Sequence, residues 1–286
     1  MVKQLAIIRF EKHTTSIIEI YKIMNISRVN VVLSVFVMLV LCSFIEKEDK
    51  PTLFLIGDST VKTGRGDGGS NGQWGWGSFI ADYFNPQRID VRNKALGGTS
   101  TRTFYNNPKL WQQVLDSIQP GDYVIMQFGH NDASPIVDTL RARGTIKGNG
   151  DAYQEVKNPL LKQNEMVYSY GYYLRLFVKN IHDKGATAII CSPIPRNRWD
   201  GAGVVRSDYA IWAKEAAEQA AAFFIPLEDL IVAEYEKRGK EEVGRLFFGP
   251  KDHTHTLQAG AEVNASLIVD YLLENPELGL KRYLRK

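Results

Sequence analysis

The chain has 286 residues, 44% of them hydrophobic and 23% charged, with a formal net charge of +3. That composition excludes an intrinsically disordered chain and supplies enough apolar material for one substantial core. So small a positive excess, with no basic run or stripe, also excludes nucleic acid as the expected partner.

From the N-terminus, Val31 to Phe44 read VVLSVFVMLVLCSF, preceded by Arg28 and followed by EKEDK. This is the pattern of a secretory signal, and it is shorter than the about 20 apolar residues a membrane span needs. Met24, just before Arg28, offers a second start beside Met1. Residues 1–48 are therefore read as an upstream extension and secretion signal outside the fold, 49–286 as one domain, and the mature protein as secreted or periplasmic. Cys42 ends the apolar stretch in a setting similar to a bacterial lipoprotein attachment site, although Leu41 is large where a small residue is expected. Cleavage near it without lipidation is the alternative. Cys191 then stands alone in ATAIICSPI, where a buried, inert thiol is expected.

Beyond residue 48, strand-length apolar runs alternate with helical periodicity. Residues 52–58 (TLFLIGD), 89–96, 122–129 and 186–194 predict strands, with FFIPLED as a fifth. Between them WGSFIADYF, PKLWQQVLDSI, the stretch from Met166 to Gly185, and SDYAIWAKEAAEQAAAF carry apolar residues three and four apart, and LQAGAEVNASLIVDYLLEN predicts a closing helix. Such alternation implies an α/β fold with a parallel sheet covered on both faces, whose functional groups gather at the carboxyl ends of the strands. Residues 133–163 are Gly-rich, charged and aperiodic, too long for a plain connection, and are expected to flank the site as a loop.

Three strands end in GDST, LGGTSTR and FGHND, which brings Ser59, Gly97/Gly98 and Asn131 to one sheet edge. A serine hydroxyl needs a base to become a nucleophile. Of the five histidines, His13 lies in the extension and His182 in a helix C-terminal turn, leaving His130, His253 and His255. Asp252 and His255 are three apart, a spacing that lets the carboxylate orient the imidazole while the other ring nitrogen faces outward. Gly98, Asn131 and the Ser59 amide could supply donors to a developing oxyanion. The competing reading of His253-Thr254-His255 as a zinc clamp needs a third ligand, for which only His130 is on hand. The stretch GRGDGGSNG lacks the Gly-Lys-Ser/Thr of a phosphate loop and reads as a rim, and Trp74 and Trp76 read as helix packing before sugar stacking.

The blocks GDST, NKALGGTSTRT, FGHND and DHTH resemble, in this order, those of the SGNH (GDSL-type) hydrolases. GRGDGGSNGQWGWG, QFGHND, YGYYLR, SPIPRNRW and DHTHTLQAGAEVNA are similar to the rhamnogalacturonan acetylesterase group of carbohydrate esterases. The resemblance implies a three-layer α/β/α sandwich of flavodoxin-like type with a central parallel sheet. It implies Ser59 as nucleophile, His255 as base, Asp252 as its partner, and Ser59, Gly98 and Asn131 as the oxyanion hole. It further implies a serine esterase that takes O-acetyl groups from a plant cell-wall polysaccharide, pectic rhamnogalacturonan first, with no cofactor and no metal. The loops carrying Arg102, Arg196 and Arg198, or the 133–163 segment, are expected to bring cationic groups to galacturonate carboxylates, with service to the surface or the fold as the alternative for those three arginines. Xylan or another acyl ester would suit the same triad. A carbohydrate-binding protein without turnover is the alternative of another class, against which the joint presence of Ser59, Asp252 and His255 argues.

Overall fold

A computed structural model describes residues 50–64, 72–201 and 203–285. The stretch expected to be a secretion signal, Cys42 and most of GRGDGGSNG lie outside them. In chain order the first half forms β1 (Thr52–Gly57), β2 (Asp90–Asn93), the short helices α1 (Thr101–Tyr105) and α2 (Gln113–Ser117), and β3 (Tyr123–Gln127). A hairpin, β4 (Tyr153–Asn158) and β5 (Gln163–Tyr168), leads into α3 (Tyr170–Asp183) and β6 (Thr187–Cys191). A two-residue pair, β7 (Trp199–Asp200) and β8 (Gly203–Val204), precedes α4 (Asp208–Gln219) and β9 (Phe223–Ile225). The chain closes through α5 (Leu227–Arg238), α6 (Lys240–Phe247) and α7 (Gln258–Glu274).

The central sheet has the order β2-β1-β3-β6-β9, and every pairing in it is parallel. Counted along the chain its five strands lie 2-1-3-4-5, the flavodoxin-like arrangement that the family resemblance implies. Its inner strands carry no polar break because both faces are covered. Leu53, Leu55, Ile125, Ile189 and Ile225 point to one face and pack with Ile231, Val243 and Ile268 of α5, α6 and α7. Phe54, Ile56, Val124, Met126 and Ile190 point to the other and pack with Val114, Phe177 and Ala213 of α2, α3 and α4. The period-two alternation of each strand thus divides its apolar residues between two cores.

Three sequence expectations are revised. WGSFIADYF forms two short 3-10 turns, Trp76–Ser78 and Ile80–Tyr83. The helix expected from Met166 begins at Tyr170, because Ser169 caps it by accepting from the Tyr172 amide, while residues 163–168 are strand. The 133–163 segment is accordingly not a plain loop: its second part pairs with 163–168 as an antiparallel hairpin. Helices α5 and α6 were not expected, although Leu227, Ile231, Val232 and Tyr235 are buried at helical spacing.

The hairpin is pinned to the sandwich by Arg102 of α1. Its guanidinium meets both carboxylate oxygens of Glu165, Nε to Oε1 at 2.8 Å and Nη2 to Oε2 at 2.5 Å, and Nη1 donates to the carbonyls of Ile136 and Gly144 at 2.9 Å each. Asn106 and Asn158 donate to the same carboxylate. Burial works against the charge on Glu165, but these donors and the Arg102 cation outweigh it and hold the carboxyl below its usual range.

Arg102→Ala removes the cation and leaves Glu165 in a site only 11% exposed. We expect a loss of about 3–5 kcal/mol in urea unfolding and faster proteolysis within 153–168; an unchanged midpoint would show that this pair does not hold the hairpin.

Candidate active site

At the carboxyl end of β1 the backbone runs too close to β3 for a side chain: a Cβ on Gly57 would lie 2.5 Å from the Gln127 carbonyl oxygen. The next residue, Asp58, is buried and accepts from the Thr60 amide (2.8 Å) and hydroxyl (2.7 Å). Gln127 donates to Thr60 Oγ1 at 2.5 Å and accepts from the Trp76 indole at 2.8 Å. Between these anchored neighbours Ser59 is left half-buried with its hydroxyl free to face a partner from elsewhere.

That partner is His255. Its Nε2 lies 2.8 Å from Ser59 Oγ, and its Nδ1 lies 2.7 Å from Asp252 Oδ2. A carboxylate can only accept, so Nδ1 carries the proton and Nε2 is left to accept from the serine hydroxyl. Asp252 Oδ1 in turn accepts from the amides of Thr254 (2.8 Å) and His255 (3.0 Å), and Gln73 Nε2 donates to Oδ2 at 3.0 Å. Burial opposes the charge on Asp252, yet the donors from His255 and Thr254 prevail and hold the carboxyl down at about 2. Asp252 is therefore ionised throughout the near-neutral range.

The other two turns complete the cleft. Gly98 adopts a φ of +83°, which a side chain would strain. Asn131 is buried and spends one of its two amide hydrogens on the Thr99 carbonyl at 2.7 Å. Asp132 beside it accepts from the Thr101 amide (3.1 Å) and hydroxyl (2.5 Å), tying the end of β3 to the start of α1. Burial pushes its carboxyl up to about 7 in spite of those donors. Ser59, Gly98, Asn131 and His255 all line one cleft of about 760 Å³.

The arginines fall differently from the sequence expectation. Arg102 is buried in the ion pair with Glu165, Arg196 donates to Thr254 Oγ1 behind the histidine turn, and Arg198 is exposed; none of them lines the cleft. Lys62, Arg141 and Arg143 do, the last reaching Gly98 O (3.1 Å) and Ser134 Oγ (3.1 Å). The only forewarning of the two arginines was their place in the aperiodic 133–163 segment. His253 is exposed, with its carbonyl accepting from the Asn197 amide at 2.8 Å. Among the described residues no group of three or more His, Cys, Asp or Glu side chains is disposed to hold a metal ion. His130 is drawn down to about 4 by burial, and Cys191 is buried with its thiol raised by burial. Trp76 is buried core, while half-buried Trp74 stacks on Phe79 with ring centroids 5.4 Å apart.

A parallel α/β/α sandwich with a hydroxyl, imidazole and carboxylate in series at its carboxyl edge is an arrangement suited to hydrolytic acyl transfer. The GDSL-like lipase/acylhydrolase family model matches residues 53–268. The chain is 31% identical over 233 residues to the probable rhamnogalacturonan acetylesterase YesY of Bacillus subtilis, covering 80% of this chain and 94% of that one. It is 30% identical over 217 residues to a rhamnogalacturonan acetylesterase of Emericella nidulans, covering 75% and 81%. The solved structure of YxiM from Bacillus subtilis superposes with a TM-score of 0.63 at 26% identity, over 79% of this chain and 57% of that protein. The chain belongs to the GDSL-like lipase/acylhydrolase family, and it is a carboxylic ester hydrolase. Among the described residues no helix is long and apolar enough to cross a membrane.

The two neighbouring histidines provide a direct comparison. His255→Ala is expected to lower kcat on 4-nitrophenyl acetate roughly a thousandfold or more, and His253→Ala to leave it within about twofold; similar losses in both would detach His255 from the chemistry.

Proposed function

We propose that the protein is a serine esterase that removes O-acetyl groups from pectic rhamnogalacturonan. The observation that carries the chemistry is the unbroken series Asp252 Oδ2, His255, Ser59 Oγ, with contacts of 2.7 and 2.8 Å. His255 Nε2 takes the hydroxyl proton as Ser59 Oγ attacks the acetyl carbonyl. The Ser59 and Gly98 amides and the Asn131 side chain donate to the oxyanion. The tetrahedral species collapses by breaking the carbon–oxygen bond to the sugar, whose oxygen takes the proton from His255. Water, deprotonated by the same nitrogen, then attacks the acyl-enzyme; acetate leaves and Ser59 recovers its proton. Asp252 stays ionised and stabilises the imidazolium in both halves.

The character of the cleft supports an anionic polysaccharide. Lys62, Arg141 and Arg143 line it, and among the described residues no aspartate or glutamate does. None of the three cations is ion-paired with a carboxylate among the described residues. Leu140 and Leu160, exposed at 82% and 47%, line the same cleft and give its cationic wall an apolar rim. Galacturonate carboxylates suit the cations, and the methyl group of a 6-deoxy sugar such as rhamnose suits the leucines. Both names among the similar enzymes quoted above point to the same substrate. The reading includes residues 1–48 as a segment outside the domain that directs the enzyme to the cell exterior or periplasm.

Acetate release from acetylated rhamnogalacturonan, xylan and mannan tests this. The pectic substrate should react fastest, its rate should fall with added salt more steeply than that of 4-nitrophenyl acetate, and Ser59→Ala should be inactive on all. Faster release from xylan, with no salt dependence on pectin, would overturn the substrate; wild-type rates in Ser59→Ala would overturn the mechanism.

A further inference from the structure

We propose that Gln73 is a positioning residue of this esterase, its side-chain amide bracing the Asp252 carboxylate and, through it, the His255 imidazole. The inference rests on the Ser59–His255–Asp252 reading above. Among the described residues, three of the four N–H groups that reach the carboxylate belong to its own turn: the Thr254 and His255 amides on Oδ1 and His255 Nδ1 on Oδ2. Those hold the carboxylate relative to residues 252–255 and no further. The fourth, Gln73 Nε2 at 3.0 Å from Oδ2, comes from 179 positions away in the chain. It ties the acid to a segment outside its own turn.

The segment that carries Gln73 is itself laced to the histidine turn. The Trp74 amide donates to the Thr256 carbonyl at 2.9 Å, and Thr256 Oγ1 donates to the Trp74 carbonyl at 2.8 Å. A Cβ on Gly75 would lie 2.4 Å from the Val61 carbonyl carbon, so this segment also presses on the turn that bears Ser59. Gln73 lines the cleft together with Ser59 and His255. The arrangement therefore puts one amide in contact with the acid while its backbone neighbours touch the base turn and the nucleophile turn.

The chemical consequence follows from the shared oxygen. Oδ2 divides its negative charge between the His255 Nδ1–H and the Gln73 amide. Without the amide, more of that charge falls on the imidazole and favours the imidazolium, and Oδ2 loses a restraint on its orientation. Among the described residues, the other titratable groups around the pair are Arg196 beside Asp252, His130 and Asp58 behind the nucleophile turn, and Lys62 and Arg143 in the cleft. All of them are retained when only Gln73 is changed.

The experiment is the pH profile of kcat/KM on 4-nitrophenyl acetate for wild type, Gln73→Met, Gln73→Glu and Ser59→Ala. Gln73→Met keeps length and removes the donor; its acid limb should move up by about half a pH unit, with kcat falling roughly threefold to tenfold and KM unchanged. Gln73→Glu sets a second carboxylate against Asp252 and should move the limb further in the same direction. The His255 Nδ1 proton resonance of the resting enzyme should shift in both, which reads the contact without turnover. An unmoved limb and an unmoved resonance in both variants, with Ser59→Ala inactive, would overturn the role of Gln73 alone. Wild-type rates in Ser59→Ala would overturn it together with the triad.

Discussion

An imidazole directs its lone pair at a hydroxyl only while its other nitrogen is held as a donor, and the Asp252 carboxylate does the holding. Because both its oxygens are engaged by N–H groups, the carboxylate is fixed in charge and in plane. The turn that carries it is itself anchored: the Leu257 amide donates to the Phe247 carbonyl at 2.8 Å, and a Cβ on Gly260 would come within 3.0 Å of Phe247 and Thr256. From there α7 rests on one face of the sheet, with Ile268 in the same core as Leu53, Leu55 and Ile125. The reach of His255 to Ser59, 196 positions apart, is thus set by how an apolar helix seats on parallel strands.

The aspartates of the GDS and HND blocks have a different task. Asp58 and Asp132 are almost wholly buried, and each accepts from a threonine that begins the next stretch of backbone. They hold the turns that present Ser59, Gly98 and Asn131, and they do not face the substrate side of the cleft. In the proposed mechanism the oxyanion donors are accordingly fixed before substrate arrives, which is where preorganisation gives its advantage.

Sheet and site were legible to different degrees. Continuous apolar runs such as TLFLIGD and DYVIMQFG reveal buried strands because nothing else suits two covered faces, and the alternation with helices leaves few topologies. Asp252 and His255 were legible because their pairing is local. Gln73 and Arg143 were not: each acts across a long sequence separation, through the end of a flexible side chain that no period marks. The hairpin was hidden for a related reason. Its strands are largely exposed and polar, and what fixes it is the ion pair from Arg102, a residue first considered for substrate.

That ion pair also has a bearing on how such an enzyme can change. The 133–168 insertion supplies Arg141, Arg143, Leu140 and Leu160 to the cleft, while the sheet-edge turns supply Ser59, Asn131 and His255. The insertion is fastened to the sandwich by Arg102, through Glu165 and two carbonyls, by Asn106 on the same glutamate, by Arg175 on Asn149 and Asp151, and by Arg143 on the Gly98 carbonyl. The wall of the cleft and the residues proposed for acyl transfer thus sit on different pieces of chain. The fold in this respect separates the shape of the cleft from the reach of His255 to Ser59, so that residues 133–168 can be rebuilt without touching the turns that set that reach.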